Sequence, residues 1–352
     1  MAVKLKDLSE QVIVITGATS GIGLTTTRMA AQQGARLVLV ARNAEALGQL
    51  AAELTAEGNL VLAVTADVGS PVDVERVGAA AIERFGRIDT WINNAGISVY
   101  GTNEEVSLKD KERLFQTNFW GVVHGSLQAL KRMKTRGGAI INLGSELSDR
   151  AVPLQGMYSA SKHAVKGFTD SLRMEIEKDG IPVSVTLIKP SGIDTMFTAH
   201  AKSYMANEPE LPAPLYAPEA VAKGILHAAR HPERDLAIGA ASKLVGASAP
   251  HAPRLLDMFM KTFMFKQQQT GERARPGRTD ALDAPNGVEL QQRLGKHTSR
   301  VREYSAYTEL ATRRKPLALA LLVGCAAMAA WKLSNGNAGS NAGRKAGASS
   351  PG

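Results

Sequence analysis

Cysteine is almost missing from this chain. Cys325 is the only one in 352 residues, so no intramolecular disulfide forms and no thiolate cluster is available to hold a metal. No secretory leader is visible either: Met1–Glu10 is polar and charged, and the first apolar run, Val12–Ile15, is far too short. The first 250 residues carry no charge excess, with 26 Lys/Arg against 26 Asp/Glu. The whole net charge of +9 sits in residues 251–352, which hold 16 basic and 7 acidic side chains. That basicity lies beside apolar segments and in no nucleic-acid-binding motif, so it reads either as attraction to anionic lipid or as a solvated tail.

What is present is a regular alternation. Val/Ile/Leu-rich runs at Val12–Thr16, Leu37–Val40, Leu60–Thr65, Thr90–Asn93, Ala139–Leu143, Val183–Ile188 and Leu236–Ile238 are separated by helical patterns near 22–33, 44–57, 71–85, 105–134, 157–178 and 218–230. Ser70 with Pro71 and Asp73 is a helix start, and Gly34, Gly58 and Gly180 stand where helices stop. Apolar strands alternating with helices predict a doubly wound α/β fold over residues 1–245, a parallel sheet covered on both faces with its ligand crevice at the C-terminal strand ends.

The first strand runs into Thr16-Gly17-Ala18-Thr19-Ser20-Gly21-Ile22-Gly23. Glycines there permit a sharp strand-to-helix turn and let a pyrophosphate approach the backbone at a helix N-terminus. At the end of the second strand, where an acidic side chain would hold the ribose 2′-hydroxyl of NAD, the chain has Ala41 and Arg42. A guanidinium is suited to a 2′-phosphate, which predicts NADP(H), with NAD(H) as the alternative if Arg42 is a surface residue.

Tyr158 and Lys162 are four residues apart at the start of a predicted helix, hence on one face. A nearby ammonium stabilises a phenolate, so the pair makes a general acid/base. Ser145 follows the fifth strand at the crevice, where it either holds a substrate oxygen or caps a turn. Asn118 is a polar residue in an apolar helical stretch.

Together these residues resemble the short-chain dehydrogenase/reductase family over about residues 8–240. The matching motifs are Thr16-Gly-x3-Gly-Ile-Gly23, Asp67-Val68, Asn93-Asn94-Ala95-Gly96, Asn118, Ser145 and Tyr158-x3-Lys162. The resemblance implies a Rossmann-type sheet of seven strands in the order 3-2-1-4-5-6-7 and an oxidoreductase that interconverts an alcohol and a carbonyl. It implies that Tyr158 exchanges the proton, Ser145 polarises the carbonyl, Lys162 binds the nicotinamide ribose and Asn118 holds a water in a relay. It gives the cofactor to Gly17, Thr19, Ser20, Gly21, Ile22, Gly23, Arg42, Asp67, Val68, Asn94, Ala95, Gly96, Tyr158, Lys162, Pro190, Ile193 and Thr195. Asp67 would contact the adenine, and Ile193 and Thr195 the carboxamide. Ser191 departs from the family's usual glycine after the proline. Substrate contacts would come from Ile97, Val99, Tyr100, Leu147, Val152, Leu154, Met196, Phe197 and Tyr204, a mostly apolar set that favours an apolar alcohol or ketone. The resemblance also implies a homodimer or homotetramer built on the helices carrying Asn118 and Tyr158. A non-catalytic NADP(H)-binding module is the competing reading, disfavoured because Tyr158 and Lys162 are both kept.

Beyond residue 245 the pattern changes. Over residues 246–312 a mostly helical extension is expected: His251–Thr270 reads as an amphipathic helix, Arg273–Asn286 as a linker and Leu290–Thr312 as a polar helix. Within residues 313–334, Leu317–Trp331 is an uncharged apolar run preceded by Arg313-Arg314-Lys315. It would span about 22 Å as a helix, short of the roughly 30 Å of a bilayer core. It reads equally as a membrane anchor on a cytoplasmic protein or as a packing helix; the stripe Leu255, Leu256, Phe259 and Phe263 near Lys261 and Lys266 has the same two readings. Residues 335–352 are Gly, Ala, Ser and Asn and read as disordered. No metal and no nucleic acid are expected.

Overall fold

In a computed structural model, the structure describes residues 3–239, 253–295, 301–303, 305 and 308, all within one compact unit, residues 1–308. Seven strands form one sheet: β1 Val12–Thr16, β2 Arg36–Ala41, β3 Val61–Thr65, β4 Thr90–Asn93, β5 Gly138–Leu143, β6 Val183–Pro190 and β7 Asp235–Ile238. Their spatial order is 3-2-1-4-5-6-7 and every pairing is parallel. The longer helices are α1 Gly21–Ala31, α2 Ala44–Ala56, α3 Pro71–Phe85, α4 Leu108–Phe115, α5 Gly121–Met133, α6 Gly156–Lys178, α7 Pro218–Ala228 and α8 Pro253–Phe259.

The two-residue period of a strand accounts for the layers. Ile13 and Ile15 of β1, with Leu37 and Leu39 of β2, point to one face and pack with Leu24, Leu47, Leu50 and Ile225. The intervening Val12, Val14, Val38 and Val40 point to the other face and pack with Val74, Val77, Met133 and Leu172. All five β1 side chains are buried, as a central parallel strand requires. α3 starts as its sequence predicts, with Ser70 accepting from the Asp73 N–H, Pro71 in the first turn and Gly86 closing it in the left-handed conformation at φ 72°.

Four expectations are revised. The helical stretch 105–134 is not continuous: a π-helical turn, Gln116–Trp120, separates α4 from α5 and carries Asn118. Within His251–Thr270, α8 continues through a π turn, Met260–Met264, and a last turn, Phe265–Gln267, but ends there, because Gln269–Arg273 pairs antiparallel with Asn207–Pro209. Arg273–Asn286 is mostly irregular and mostly exposed, as a linker would be, but it is anchored to the domain. Ala281 and Leu282 are buried in the domain, and Arg42 and Arg113 satisfy the backbone carbonyls there. Of the expected helix Leu290–Thr312, residues 290–295 are irregular, and Val301–Arg302 is a short strand paired with Leu215–Tyr216. Pairing with short strands of the 207–216 segment and burial of the Ala-Leu pair override a composition that reads as polar. Leu317–Trp331 and residues 335–352 lie outside the described residues. Among the described residues no helix is long and apolar enough to cross a membrane.

Candidate active site

The strands deliver the expected residues to one edge of the sheet. At the end of β1 the chain turns into α1 through the glycines. A Cβ on Gly23 would lie 1.9 Å from the Gly17 carbonyl oxygen and 2.6 Å from Asn94 Nδ2, so no other residue fits that approach. Asn94 holds the turn, donating to the carbonyls of Thr16 (2.9 Å) and Gly17 (3.2 Å). Thr16 Oγ1 in return accepts from the N–H groups of Asn94 and Ala95, locking β1 to the loop after β4. Thr195 reaches back over this turn: a Cβ on Gly21 would meet its Cβ at 3.0 Å.

Two cavities share this cleft. The larger, about 410 Å³, is lined by Ser145, Tyr158 and Lys162 together with Ile22, Asn94, Gly96, Pro190, Ile193 and Thr195. The smaller, about 110 Å³, is lined by Gly17, Thr19, Ser20, Arg42, Asp67, Val68, Ala95 and Gly96. Sequence positions spread from 17 to 195 are thus brought to one crevice at the C-terminal strand ends. The residues fit a dinucleotide: a tight backbone cradle at a helix N-terminus, a cation at the end of β2, and a reactive pocket beyond Gly96.

At the chemical end, Ser145 both caps a turn and faces the phenol. Its Oγ accepts from the Leu147 N–H (3.1 Å), and the Ser148 hydroxyl accepts from the Ser145 N–H (3.1 Å). Ser145 shares the cavity lining with Tyr158. Burial pushes the Tyr158 phenol well above its ordinary value; the Ser145 hydrogen bond works against this, and the Glu146 carboxylate adds to it. Lys162 does not bond the phenol. Its ammonium donates to the Leu143 carbonyl at 2.7 Å and lies 5.7 Å from the Tyr158 ring centre. Lys162 thus stands beside the Tyr158 ring with the carbonyl ending β5 as its hydrogen-bond partner. Burial lowers the Lys162 ammonium to about 8.

Asn118 sits behind the cavity wall. Its amide spans the backbone of Ile97, accepting from the N–H and donating to the carbonyl, both at 2.9 Å, and donates to Ser161 Oγ at 3.2 Å. The π turn aims it there, one extra residue displacing the side chain from the helix's ordinary row. Gly96 joins it to the site: a Cβ there would lie 3.5 Å from Asn118 Oδ1 and 3.8 Å from Lys162 Nζ.

Of the expected substrate contacts, Leu147, Val152 and Phe197 line the large cavity. Ile97, Val99, Tyr100 and Met196 are buried outside that lining, and Tyr204 bonds Asp110 and the Ser107 N–H. Leu154, with a positive φ of 64°, is a turn residue and also does not line it. Sequence reasoning missed the far wall, made by Leu211, Pro212, Phe259, Met260 and Met264. The apolar stripe on residues 255–263 was its only sequence signal. It also missed Glu146, which lies in the same cavity.

Arg42 and Asp67 reach the small cavity with partners already in hand. Arg42 donates to the backbone carbonyls of Ala281, Leu282 (3.1 Å) and Asp283 (3.2 Å). Burial, then Arg113, lowers its pKa. Asp67 accepts from the Gly69 N–H (2.8 Å) and pairs with Arg113 at 2.6 Å. Among the described residues no group of His, Cys, Asp and Glu is arranged to hold a metal.

Comparison with known proteins agrees with this geometry. The profile of the short chain dehydrogenase family matches residues 11–205. An uncharacterized oxidoreductase of Bacillus subtilis, YxnA, is 46% identical over 333 residues, covering 94% of this chain and 92% of its own, so the likeness takes in most of the extension. An alcohol dehydrogenase from Thermococcus sibiricus, solved with 5-hydroxy-NADP, superposes with a TM-score of 0.57 at 27% identity over 65% of this chain and 95% of its own. A short chain dehydrogenase/reductase from Burkholderia phymatum, solved with NAD, shares the fold with a TM-score of 0.60 at 24% identity, over 77% of this chain and 100% of its own. With its seven-stranded sheet, its glycine turn and its Ser, Tyr and Lys in one cleft, the chain belongs to the short-chain dehydrogenase/reductase family of oxidoreductases.

Proposed function

We propose that this oxidoreductase transfers a hydride between NADP(H) and the carbon of an alcohol or ketone with an apolar body, using Tyr158 as general acid/base. The observation that carries the reading is the convergence of Ser145, Tyr158 and Lys162 on one cavity whose other walls are largely apolar. When bound, the nicotinamide supplies or accepts the hydride. In the reducing direction the Tyr158 hydroxyl gives its proton to the carbonyl oxygen as the carbon receives the hydride, and takes it back in oxidation. Ser145, fixed by its turn, donates to the same oxygen. Lys162 stands one helical turn from Tyr158, where its charge favours a phenolate and its ammonium is free to turn from Leu143 to a ribose hydroxyl. Asn118 keeps the Ile97 loop at the correct height beneath that ammonium.

Arg42 supports NADP(H) over NAD(H), since no acidic side chain stands at 41 or 42 to receive a 2′-hydroxyl. The solved Thermococcus relative carries an NADP derivative and the Burkholderia one NAD, so the preference rests on Arg42. Leu108, Trp120, Leu127 and Met174 are exposed on α4, the π turn, α5 and α6, and we propose a second copy of the chain as what covers them. The test of the chemistry is Tyr158→Phe, which removes only the hydroxyl. NADPH affinity should persist while turnover falls by roughly 100- to 10,000-fold. Near-normal turnover of a ketone panel by this variant would overturn the assignment.

A further inference from the structure

Glu146 follows Ser145 directly and lines the same cavity. The cavity that Glu146 shares with Ser145 and Tyr158 is the one the reacting carbonyl would enter. Among the described residues it has no hydrogen-bond or ion-pair partner. The two cations that line the same cavity bond other groups: Arg150 the Asp257 carboxylate and the Pro253 carbonyl, and Lys162 the Leu143 carbonyl. The surroundings are apolar, with Leu147, Val152, Phe197 and Met264 in the same lining. Burial alone pushes its carboxyl up to about 7, and its charge is felt at Tyr158. Glu146 is half-buried, so in the open cavity its carboxylate is left to water, and a ligand that displaces that water must supply a donor in its place.

We propose that Glu146 is a specificity-determining residue that accepts a hydrogen bond from a substrate hydroxyl or amine one to three carbons from the reacting carbon. This rests on the proposed ketone reductase activity and narrows it: the preferred substrates are hydroxy- or amino-ketones with an apolar body. A site built to accept from a hydroxyl discriminates strongly against the analogue lacking it, because its own polar group is then left unpaired.

The experiment compares kcat/KM for a matched pair, acetophenone and 2-hydroxyacetophenone, with NADPH. Wild type should prefer the hydroxy-ketone by at least about 10-fold. Glu146→Leu should erase that preference by losing the hydroxy-ketone and gaining the plain one, and Glu146→Gln should keep part of it. NADPH affinity should be equal in all three. Equal use of both ketones by wild type, or an unchanged ratio in Glu146→Leu, overturns the proposal. If neither ketone nor any other carbonyl is turned over, the reductase reading itself fails instead.

An independent observation concerns the smaller cavity. Residues 281–291 cross the dinucleotide end and take up the groups a nucleotide would use there. Beyond the three carbonyls on Arg42, the Leu282 carbonyl also accepts from Arg113 (3.2 Å). At the α1 N-terminus the Gln291 carbonyl accepts from the Gly21 N–H (2.9 Å), and the Leu290 N–H donates to the Thr19 carbonyl (2.7 Å). Asn286 bonds His200 (2.9 Å) and the Ala199 carbonyl (3.0 Å), and Leu282 is fully buried beside Ile97 and Leu114. The space left, about 110 Å³, is well below the roughly 300–1,000 Å³ of small-molecule sites.

The geometry points to residues 281–291 as a latch closed over the adenosine end of the cofactor site, which the cofactor displaces on binding. Apparent affinity is then reduced by the fraction of molecules with the latch open, so loosening it tightens binding. Asn286→Ala removes two latch hydrogen bonds and touches nothing in the catalytic trio. NADPH should bind it about 3- to 10-fold more tightly than wild type, through a faster association rate in stopped flow. Hydrogen exchange across 281–291 of the wild type should speed up when NADP⁺ is added. Weaker binding by Asn286→Ala, or slower exchange with NADP⁺, overturns the latch and makes the segment a cover that completes the site. Binding of neither NADPH nor NADH by wild type would count against the cofactor assignment instead.

Discussion

Replacing Arg42 with alanine tests the cofactor assignment through a single side chain. Its guanidinium has five N–H donors in a fixed fork, three of which point at the backbone carbonyls of residues 281–283. A 2′-phosphate arriving between them exchanges neutral acceptors for a charged one, in the bidentate geometry a guanidinium favours. A hydrogen bond to a charged group contributes about 1.5–3 kcal/mol, and 1.4 kcal/mol is tenfold, so Arg42→Ala should weaken NADPH binding about 10- to 150-fold. NADH has no 2′-phosphate, and its affinity should not fall. Fluorescence titration with both cofactors, on wild type and variant at one ionic strength, gives the ratio directly. The companion change Ala41→Asp with Arg42→Ala should reverse the preference, since a carboxylate repels the phosphate and accepts from a 2′-hydroxyl. If wild type binds NADH as tightly as NADPH, or if Arg42→Ala shifts both affinities equally, Arg42 serves only to hold the extension.

Beneath the site, Asn142 accepts from Asn93 (2.8 Å) and Ser126 (3.2 Å) and donates to Thr169 (3.0 Å), all fully or nearly fully buried. Asn142→Ala orphans several of these groups and should lower unfolding stability by roughly 2–4 kcal/mol in urea titration; a loss under 0.5 kcal/mol would show that the network contributes little. The Glu146 carboxyl is raised in the folded protein to about 7, above its unfolded value, so its contribution is intact at low pH and is lost as pH rises toward 7. Glu146→Gln should therefore gain in Tm relative to wild type between pH 5 and pH 8; an equal difference at both pH values refutes this. Leu127→Asp with Met174→Asp should convert the proposed dimer to a monomer in light scattering with the fold intact by circular dichroism, and a wild type that is itself monomeric disproves the interface.

Much of this protein was determined by the sequence alone. Seven apolar runs with a two-residue period, separated by helices with readable caps, lead to a parallel sheet covered on both faces, because each strand must bury both sets of side chains. Tyr158 and Lys162 were legible because four residues make one helical turn, and the Gly17–Gly23 turn because only glycine tolerates such backbone approach. Tertiary structure decided the rest. The π turn that aims Asn118 at Ile97 depends on packing between α4, α5 and α6, not on local propensity. Lys162 found the Leu143 carbonyl, a partner 19 residues away, and Glu146 came to line the cavity beside it through the turn after β5. The extension is the clearest case. Its composition reads as a polar linker, yet Arg42 and Arg113 lie 240 and 169 residues from the carbonyls they bond, and such distant pairings leave no periodic trace in the chain. Local periodicity reports which face of an element is buried; what lies against that face is settled only when the whole chain has closed.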